Sequence, residues 1–305
     1  MDAHNQRLGR LDPLLAPAGA LTVGTGTHIE VEGAAAVYRV IETDPDTLQA
    51  TWNDLHRHAL QQIRIGAADP ASAMKRLLAV WSMRLDEAPL PADGDSAAVL
   101  SWPSRDAEVV KVLRESGFGP TATLAVRARD SLPGRPNPDV TVRPVEERDV
   151  DAVLSLQLDL MRWDDNFGGA HWRASTPARV QEYVAGLTGG DLPRAWVAEL
   201  DGDVVGTCSV ERGKDASWAG AAVAADPEEV AYIGTMSVAP GRRGGGIGTL
   251  LIAHVHHEME AAGIRLPILH YAPLNPLSAP FWHRAGYRPL LTTWKMQPHN
   301  ALRIE

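Results

Sequence analysis

The sequence predicts an α/β (α+β) chain built as two tandem copies of one design. Short apolar runs alternate with amphipathic helical stretches over most of its length. A stretch rich in proline, "DSLPGRPNPD" (130–139), interrupts that alternation near the middle. The segments "VVKVLRESGFGPTATLAV" and "SAPFWHRAGYRPLLTTWKM" both run helix, Gly-aromatic, x-Pro, strand, and each follows an apolar strand, "AAVLSW" or "LPILHY". These observations divide the chain into residues 1–130, a linker at 131–139, and residues 140–305.

In the first part, residues 1–30 lack periodicity and are expected to form a loosely ordered arm. "AAAVYRVI" (34–41) reads as a strand, followed by helices over 45–65 and 70–86, the first opened by "TDPDT". "AAVLSW" (97–102) is a strand, "SRDAEVVKVLRESGF" a helix closed by Gly117, and "TATLAVRA" another strand. In the second part "VTVRPV" is a strand, and Leu154, Leu158 and Met161 mark an amphipathic helix. The stretch "RWDDNFGGAHW" (162–172) is expected to be a loop, leading to a helix near 176–187. A hairpin turns at Asp201-Gly202, and "EEVAYIGTMSVAP" is a long strand. The next helix carries Ile247, Leu250, Leu251, Val255 and Met259 on one stripe and ends at Gly263. A strand, a short helix and a last strand complete the chain.

Composition narrows the partners. The 305 residues carry a formal net charge of −9, which argues against nucleic-acid or anionic-membrane binding. The single cysteine, Cys208, excludes an intramolecular disulfide framework and fits a reducing, cytoplasmic compartment. No apolar run approaches the ~20 residues of a membrane span, and the N-terminus lacks a signal-peptide pattern. His254, His256, His257 and Glu258 lack the H-E-x-x-H order of a metal site, and His256 is expected on the polar side of its helix, so no metal is expected. Cys208 is expected in the core, and Trp81 and Trp102 are candidates for an interdomain face.

The most informative stretch is "PGRRGGGIGTLL" (240–251), between the long strand and the striped helix. A helix N-terminus presents unpaired N–H groups and partial positive charge, and glycines let backbone wrap closely around a phosphate. Arg242 and Arg243 add cationic donors. No Gly-Lys-Ser/Thr closes the turn, so it is not a nucleotide-triphosphate loop. The dinucleotide spacing fails at Thr249.

What is present is Val238-x-Pro240, then Arg243-x-x-Gly246-x-Gly248, then Asn275-x-x-Ser278-x-x-Phe281-Trp282-x-x-x-Gly286-Tyr287. Over roughly 140–297 this order resembles the GNAT superfamily of N-acetyltransferases. The resemblance implies a mixed, mostly antiparallel central sheet flanked by helices, and acetyl-CoA as co-substrate. It assigns the pantetheine arm to backbone groups of Met236, Ser237 and Val238, with the Met236 N–H facing the acetyl oxygen. Arg243, Gly244, Gly246, Gly248 and Thr249 would hold the pyrophosphate. Asn275 matches a position that contacts the pantetheine arm, and as an Asn before Pro it equally suits a helix cap. Residues 1–130 would be a degenerate copy, since nothing there matches the glycine turn.

Two positions depart from the family pattern. Trp282 stands where many members have the tyrosine that protonates the departing thiolate, and an indole N–H is no usable acid. Tyr271, Tyr287 or a water are the alternatives. Tyr232 stands where many members have a glutamate base, so Glu229 or Tyr232 acting through water, or an amine arriving neutral, are the options. Trp163, Asp164, Asp165 and Trp172 are candidates to receive a cationic amine. The expected activity is acetyl transfer to a primary amine of a small molecule, such as an amino sugar, amino acid or polyamine-like compound, by a monomer or homodimer. A coenzyme A-binding module without turnover and a protein or peptide N-acetyltransferase are the alternatives.

Overall fold

The computed structural model describes residues 2–128, 137–189 and 193–302. Its elements in chain order begin with α1 (Asp2–Leu11), β1 (Thr27–Val31), β2 (Ala34–Glu42), β3 (His56–Ile65), α2 (Pro70–Glu87), β4 (Ser96–Pro103), α3 (Ala107–Glu115) and β5 (Gly119–Arg127). There follow β6 (Val140–Pro144), α4 (Val150–Asp165), α5 (Thr176–Ala185), β7 (Ala195–Leu200), β8 (Asp203–Arg212), the short α6 (Ser217–Gly220) and β9 (Val230–Val238). The chain ends with α7 (Ile247–Ala261), β10 (Leu266–Tyr271), α8 (Ser278–Arg284) and β11 (Tyr287–Met296). Two compact units result. One comprises Met1–Pro45, Trp52–Leu124 and Pro289–Glu305, the other Asp46–Thr51 and Ala125–Arg288.

The first unit has the strand order β1-β2-β3-β4-β11-β5, with β3 and β4 parallel. β11 belongs here because it pairs antiparallel with β4, from Leu291 opposite Pro103 to Met296 opposite Ala98. Trp294 and Met296 join the apolar core under α2 and α3. Compactness therefore does not follow a linear boundary at 131–139. Residues 131–136 of that expected linker lie outside the described residues.

Three expectations for this unit are corrected. The arm begins with a helix, α1, and enters the sheet as β1; Leu8, Leu15 and Ile29 are buried. Residues 56–65 form a strand, not a helix. Ala59, Leu60, Ile63 and Ile65 are buried, and pairing with β2, and with β4 as far as Leu60, overrides the helical propensity of Ala, Leu, Gln and Arg. Trp81 and Trp102 are core residues, Trp81 stacked on Phe118 and Trp102 donating from Nε1 to Asp106 Oδ2 at 2.9 Å.

The second unit has the order β10-β9-β8-β7-β6, antiparallel except for β9 and β10. Each unit is thus a mixed, mostly antiparallel sheet flanked by helices. Asp201 (φ 55°) and Gly202 (φ 86°) make the β7–β8 turn, the expected two-residue hairpin. One face of the sheet carries Cys208, Val210, Ala231 and Ile233 against Leu251, Val255 and Met259 of α7. The other face meets α4 and α5 through Val153, Met161, Val180 and Val184. His256 is buried with the first face, its Nε2 2.8 Å from the Tyr287 hydroxyl, which corrects its expected polar-side position. Burial lowers its pKa to about 3, so it pairs there as a neutral ring.

The repeated Gly-aromatic signal has one backbone explanation. Gly117 (φ 92°) and Gly286 (φ 93°) each end a helix in the left-handed region, and the aromatic residues after them, Phe118 and Tyr287, are buried. Among the described residues no helix is long and apolar enough to cross a membrane, and no group of three His, Cys, Asp or Glu side chains is placed to hold a metal ion.

Candidate active site

The site forms where β9 leaves its neighbours. β9 and β10 pair in parallel from Val230 opposite Leu266 to Ile233 opposite Leu269, and there the register ends. On its other edge β9 stays with β8, but the register shifts between Cys208 and Val210. Gly234 and Thr235 together oppose Ser209, which is a β-bulge in β9. Ser209 fills it: Oγ accepts from the Thr235 N–H at 2.9 Å and receives the Tyr183 hydroxyl at 3.1 Å. A Cβ at position 234 would stand 2.8 Å from Ser209 Oγ and 3.3 Å from the Tyr183 oxygen, so any side chain there would have to displace the Ser209 hydroxyl.

Beyond the bulge the ladder decides which peptide groups are available. The Ala239 N–H donates to Val205 O at 2.9 Å, which makes Val238 opposite Gly206 a non-hydrogen-bonded pair. By alternation Ser237 exchanges hydrogen bonds with Thr207, while the peptide groups of Met236 and Val238 turn away from β8, toward the side that β10 has left. The expectation for the Ser237 backbone is corrected, since β8 uses it. The peptide groups of Met236 and Val238 lie on the edge of β9 away from β8.

The glycine turn continues from this strand end. Arg243 donates from Nε to Val238 O at 2.9 Å, which fastens the turn to the strand. Gly244 (φ 84°) and Gly246 (φ 83°) both lie in the left-handed region, which side chains rarely adopt. Gly246 caps α7 without any side-chain hydrogen bond, and the first bond within the helix is from the Leu250 N–H to Gly246 O, 3.0 Å. The N–H groups of Ile247, Gly248 and Thr249 therefore have no acceptor within the helix. Gly248 is close to the strand and α8: a Cβ there would be 3.3 Å from Phe281 and 3.5 Å from the Met236 methyl.

Asn275 organises the neighbouring corner. Its Oδ1 accepts from the N–H groups of Leu277 (2.9 Å) and Ser278 (3.2 Å), capping α8, and from Trp163 Nε1 at 3.3 Å. Its Nδ2 donates to Asp164 Oδ1 at 2.7 Å. Burial raises the Asp164 pKa to about 6, against the opposing pull of Asn275 and of Arg243. Trp163, Asp164 and Asp165 are the last turn of α4 rather than loop. Asp165 accepts the Trp172 N–H at 3.3 Å, and the Trp172 ring is covered by the Arg162 guanidinium, 4.3 Å from its centroid. Asp165 and Trp172 thus serve the α4–α5 connection.

The other candidates separate. Tyr271, at the end of β10, places its hydroxyl 2.9 Å from His283 Nε2 on α8. Trp282 is buried, edge-on to Phe281 and Tyr287, and Tyr287 spends its hydroxyl on His256. Glu229 stands at the opposite end of β9 from the bulge, paired with Arg265 at 3.0 Å, so it is not brought to the site. Tyr232 is near the bulge, and burial pushes its hydroxyl above the ordinary range, which keeps it protonated.

Around Tyr232 lies a polar cluster that the sequence did not reveal. Glu211 is directly opposite it on β8, His270 Nδ1 is 3.2 Å from its hydroxyl, and the Trp218 ring meets it edge-on at 4.7 Å. No local motif marks these residues; only strand register unites them.

Residues 158–287 match the model of the acetyltransferase (GNAT) family. No curated protein matches the sequence. Among solved structures, the chain is similar to a GCN5-related N-acetyltransferase from Sphaerobacter thermophilus, with 15% identity, TM-score 0.54, and coverage of 88% of this chain and 78% of that one. It is also similar to an acetyltransferase of the GNAT family from Colwellia psychrerythraea, with 11% identity, TM-score 0.52, and coverage of 97% and 96%. At such identities these two structures speak for the fold. The family match spans the bulged strand, the glycine turn and the Asn275 corner, so the likeness to the GNAT acetyltransferases falls on the residues that build this site.

Proposed function

We propose that this protein is an acetyl-CoA-dependent N-acetyltransferase acting on a primary amine of a small molecule. The observation that carries the proposal is the pairing of two open backbone features. The Met236 peptide groups and the Val238 N–H turn out of the sheet, with the Val238 carbonyl held by Arg243, and the uncapped start of α7 follows them at Gly246. The first suits an extended amide-bearing arm, the second a pyrophosphate.

The Met236 N–H is the donor for the thioester oxygen, where negative charge develops during attack. The Tyr271 hydroxyl, backed by His283, is the proton source for the departing thiolate in place of the indole at Trp282. The first unit acts as a companion without a cofactor turn of its own. A cytoplasmic location is supported by the single cysteine, buried in the core.

Titration calorimetry with acetyl-CoA and a free-thiol assay with amines test the proposal. Micromolar binding and amine-dependent thiol release are expected. Binding without release would favour a coenzyme A-binding module, the reading that Trp282 favours, and release with peptides alone would favour a peptide acetyltransferase.

A further inference from the structure

The polar cluster beside the bulge contains one carboxylate, and its surroundings are specific. Glu211 Oε2 accepts from Trp218 Nε1 at 3.2 Å. Its Oε1 lies 3.7 Å from where a Cβ of Gly234 would stand, so this oxygen looks onto bare backbone at the bulge. Gly234 is two residues before Met236 on the same bulged strand. Glu211 has no cationic partner among the described residues, because the nearby Arg194 is paired with Asp215. Trp218, largely exposed, forms the outer wall of the cluster, stacked on His270 and edge-on to Tyr232.

The remaining titratable groups are unsuited to taking a proton near neutral pH. Burial lowers the His270 pKa to about 4, raises that of Tyr183 to about 12, and pushes Tyr232 higher still. Glu211 itself is raised, chiefly by desolvation and further by the Asp215 charge, with Trp218 and Arg194 opposing. A carboxylate made more basic by burial is matched to an ammonium made more acidic by the same burial.

From this geometry we infer that Glu211 is the base that receives the proton of the acceptor amine. This inference rests on the acetyl-transfer reading. The acceptor enters as R–NH3+ beside Oε1 and passes one proton to Glu211. Its nitrogen lone pair forms the C–N bond to the thioester carbonyl carbon, and the C–S bond breaks with its electron pair on sulfur. The second nitrogen proton reaches the thiolate by way of Tyr271 or water. The products are the amide and free thiol, and Glu211 then releases its proton to solvent. The aromatic wall of Trp218, Tyr232 and His270 favours an amine carried on an apolar or ring-shaped body.

Glu211→Gln preserves the side-chain shape and an acceptor for Trp218. The test compares it with wild type on tryptamine, glucosamine and spermidine between pH 6 and 10, with acetyl-CoA affinity measured separately by calorimetry. At pH 7 the variant is expected to lose roughly 100-fold in kcat/KM for the amine, with acetyl-CoA affinity unchanged. The wild-type rise of kcat/KM attributable to a carboxylate is expected to vanish, and the deficit to shrink below about 5-fold at pH 10, where the amine arrives neutral. A loss below about 3-fold at pH 7, or a loss equal at every pH, would overturn the assignment while leaving acetyl transfer intact. Should wild type bind acetyl-CoA but acetylate none of the three amines, the small-amine transfer reading falls, and this assignment with it.

Discussion

The two units contain the same strand–helix–strand crossover, β3–α2–β4 in one and β9–α7–β10 in the other. In each the parallel pairing ends partway, at Leu60 opposite Leu100 and at Ile233 opposite Leu269. What differs is how the exposed backbone is satisfied. In the first unit the Ile65 N–H donates to His4 Nδ1 of α1 at 3.2 Å, so a segment of the chain itself covers the outer part of β3. The start of α2 is closed by Asp69, whose carboxylate accepts from the Ser72 N–H at 2.9 Å and the Ser72 hydroxyl at 2.6 Å. In the second unit Gly246 offers no such cap, and Met236 and Val238 face away from β8. Buried or clustered backbone groups must find partners. A crossover that satisfies its own groups is closed; one that leaves them open offers them to a partner.

The contrast can be broken most severely at Arg243. Reversing its charge in Arg243→Glu puts an anion at the opening that is to receive one, and acetyl-CoA affinity is expected to fall about 10- to 100-fold by calorimetry. The thermal midpoint should stay near that of wild type, because the side chain is exposed. Unchanged affinity would reduce the turn to a connector.

A smaller effect is expected at the plug of the first unit. His4→Ala leaves the Ile65 N–H without its acceptor, at a cost of about 1–2 kcal/mol in urea unfolding, with no change in acetyl-CoA affinity. Burial holds the His4 pKa at about 4, helped by the charges of Arg64 and Arg7. A histidine lowered in the folded state binds protons preferentially when unfolded. Wild-type stability should therefore decline as pH falls from about 6.5 toward 4, and His4→Ala should lack that part of the slope. An acetyl-CoA affinity altered by His4→Ala would contradict the plugged assignment.

The smallest effect belongs to Asp69→Ala, which reopens the start of α2. Hydrogen bonds from Ser72 hold the Asp69 carboxyl below its ordinary range, so its contribution is present above the unfolded pKa and lost as pH falls through the folded value. A slight fall in Tm near neutral pH, absent in strong acid, is expected, with no second acetyl-CoA site in calorimetry. A second site would mean that the cap alone separates the two crossovers.

The glycine turn was legible because its chemistry is local. Left-handed glycines, an uncapped helix start and a cationic neighbour all fall within a few residues of Gly246, and the resemblance to the family could be carried there position by position. Gly117 and Gly286 were legible for the same reason, as helix ends that only glycine relaxes. Residues 56–65 were misread because their composition suits a helix, and only pairing with β2 and β4 makes them a strand. Ser237 could not be separated from Met236 and Val238 by composition, since ladder alternation with β8 decides which peptide groups remain free.

By itself, then, the sequence determined where backbone conformation is special: the left-handed glycines, the hairpin at Asp201-Gly202 and the start of α7. These depend on steric limits that act within a turn. Tertiary structure alone decided what surrounds them. It brought Glu211 opposite Tyr232, sent His256 into the core, and tied Glu229 to Arg265 away from the site. It also set His4 over one crossover and left the other open. Such choices follow from register and burial among residues distant in sequence, where side-chain identity constrains the outcome only after the chain has packed.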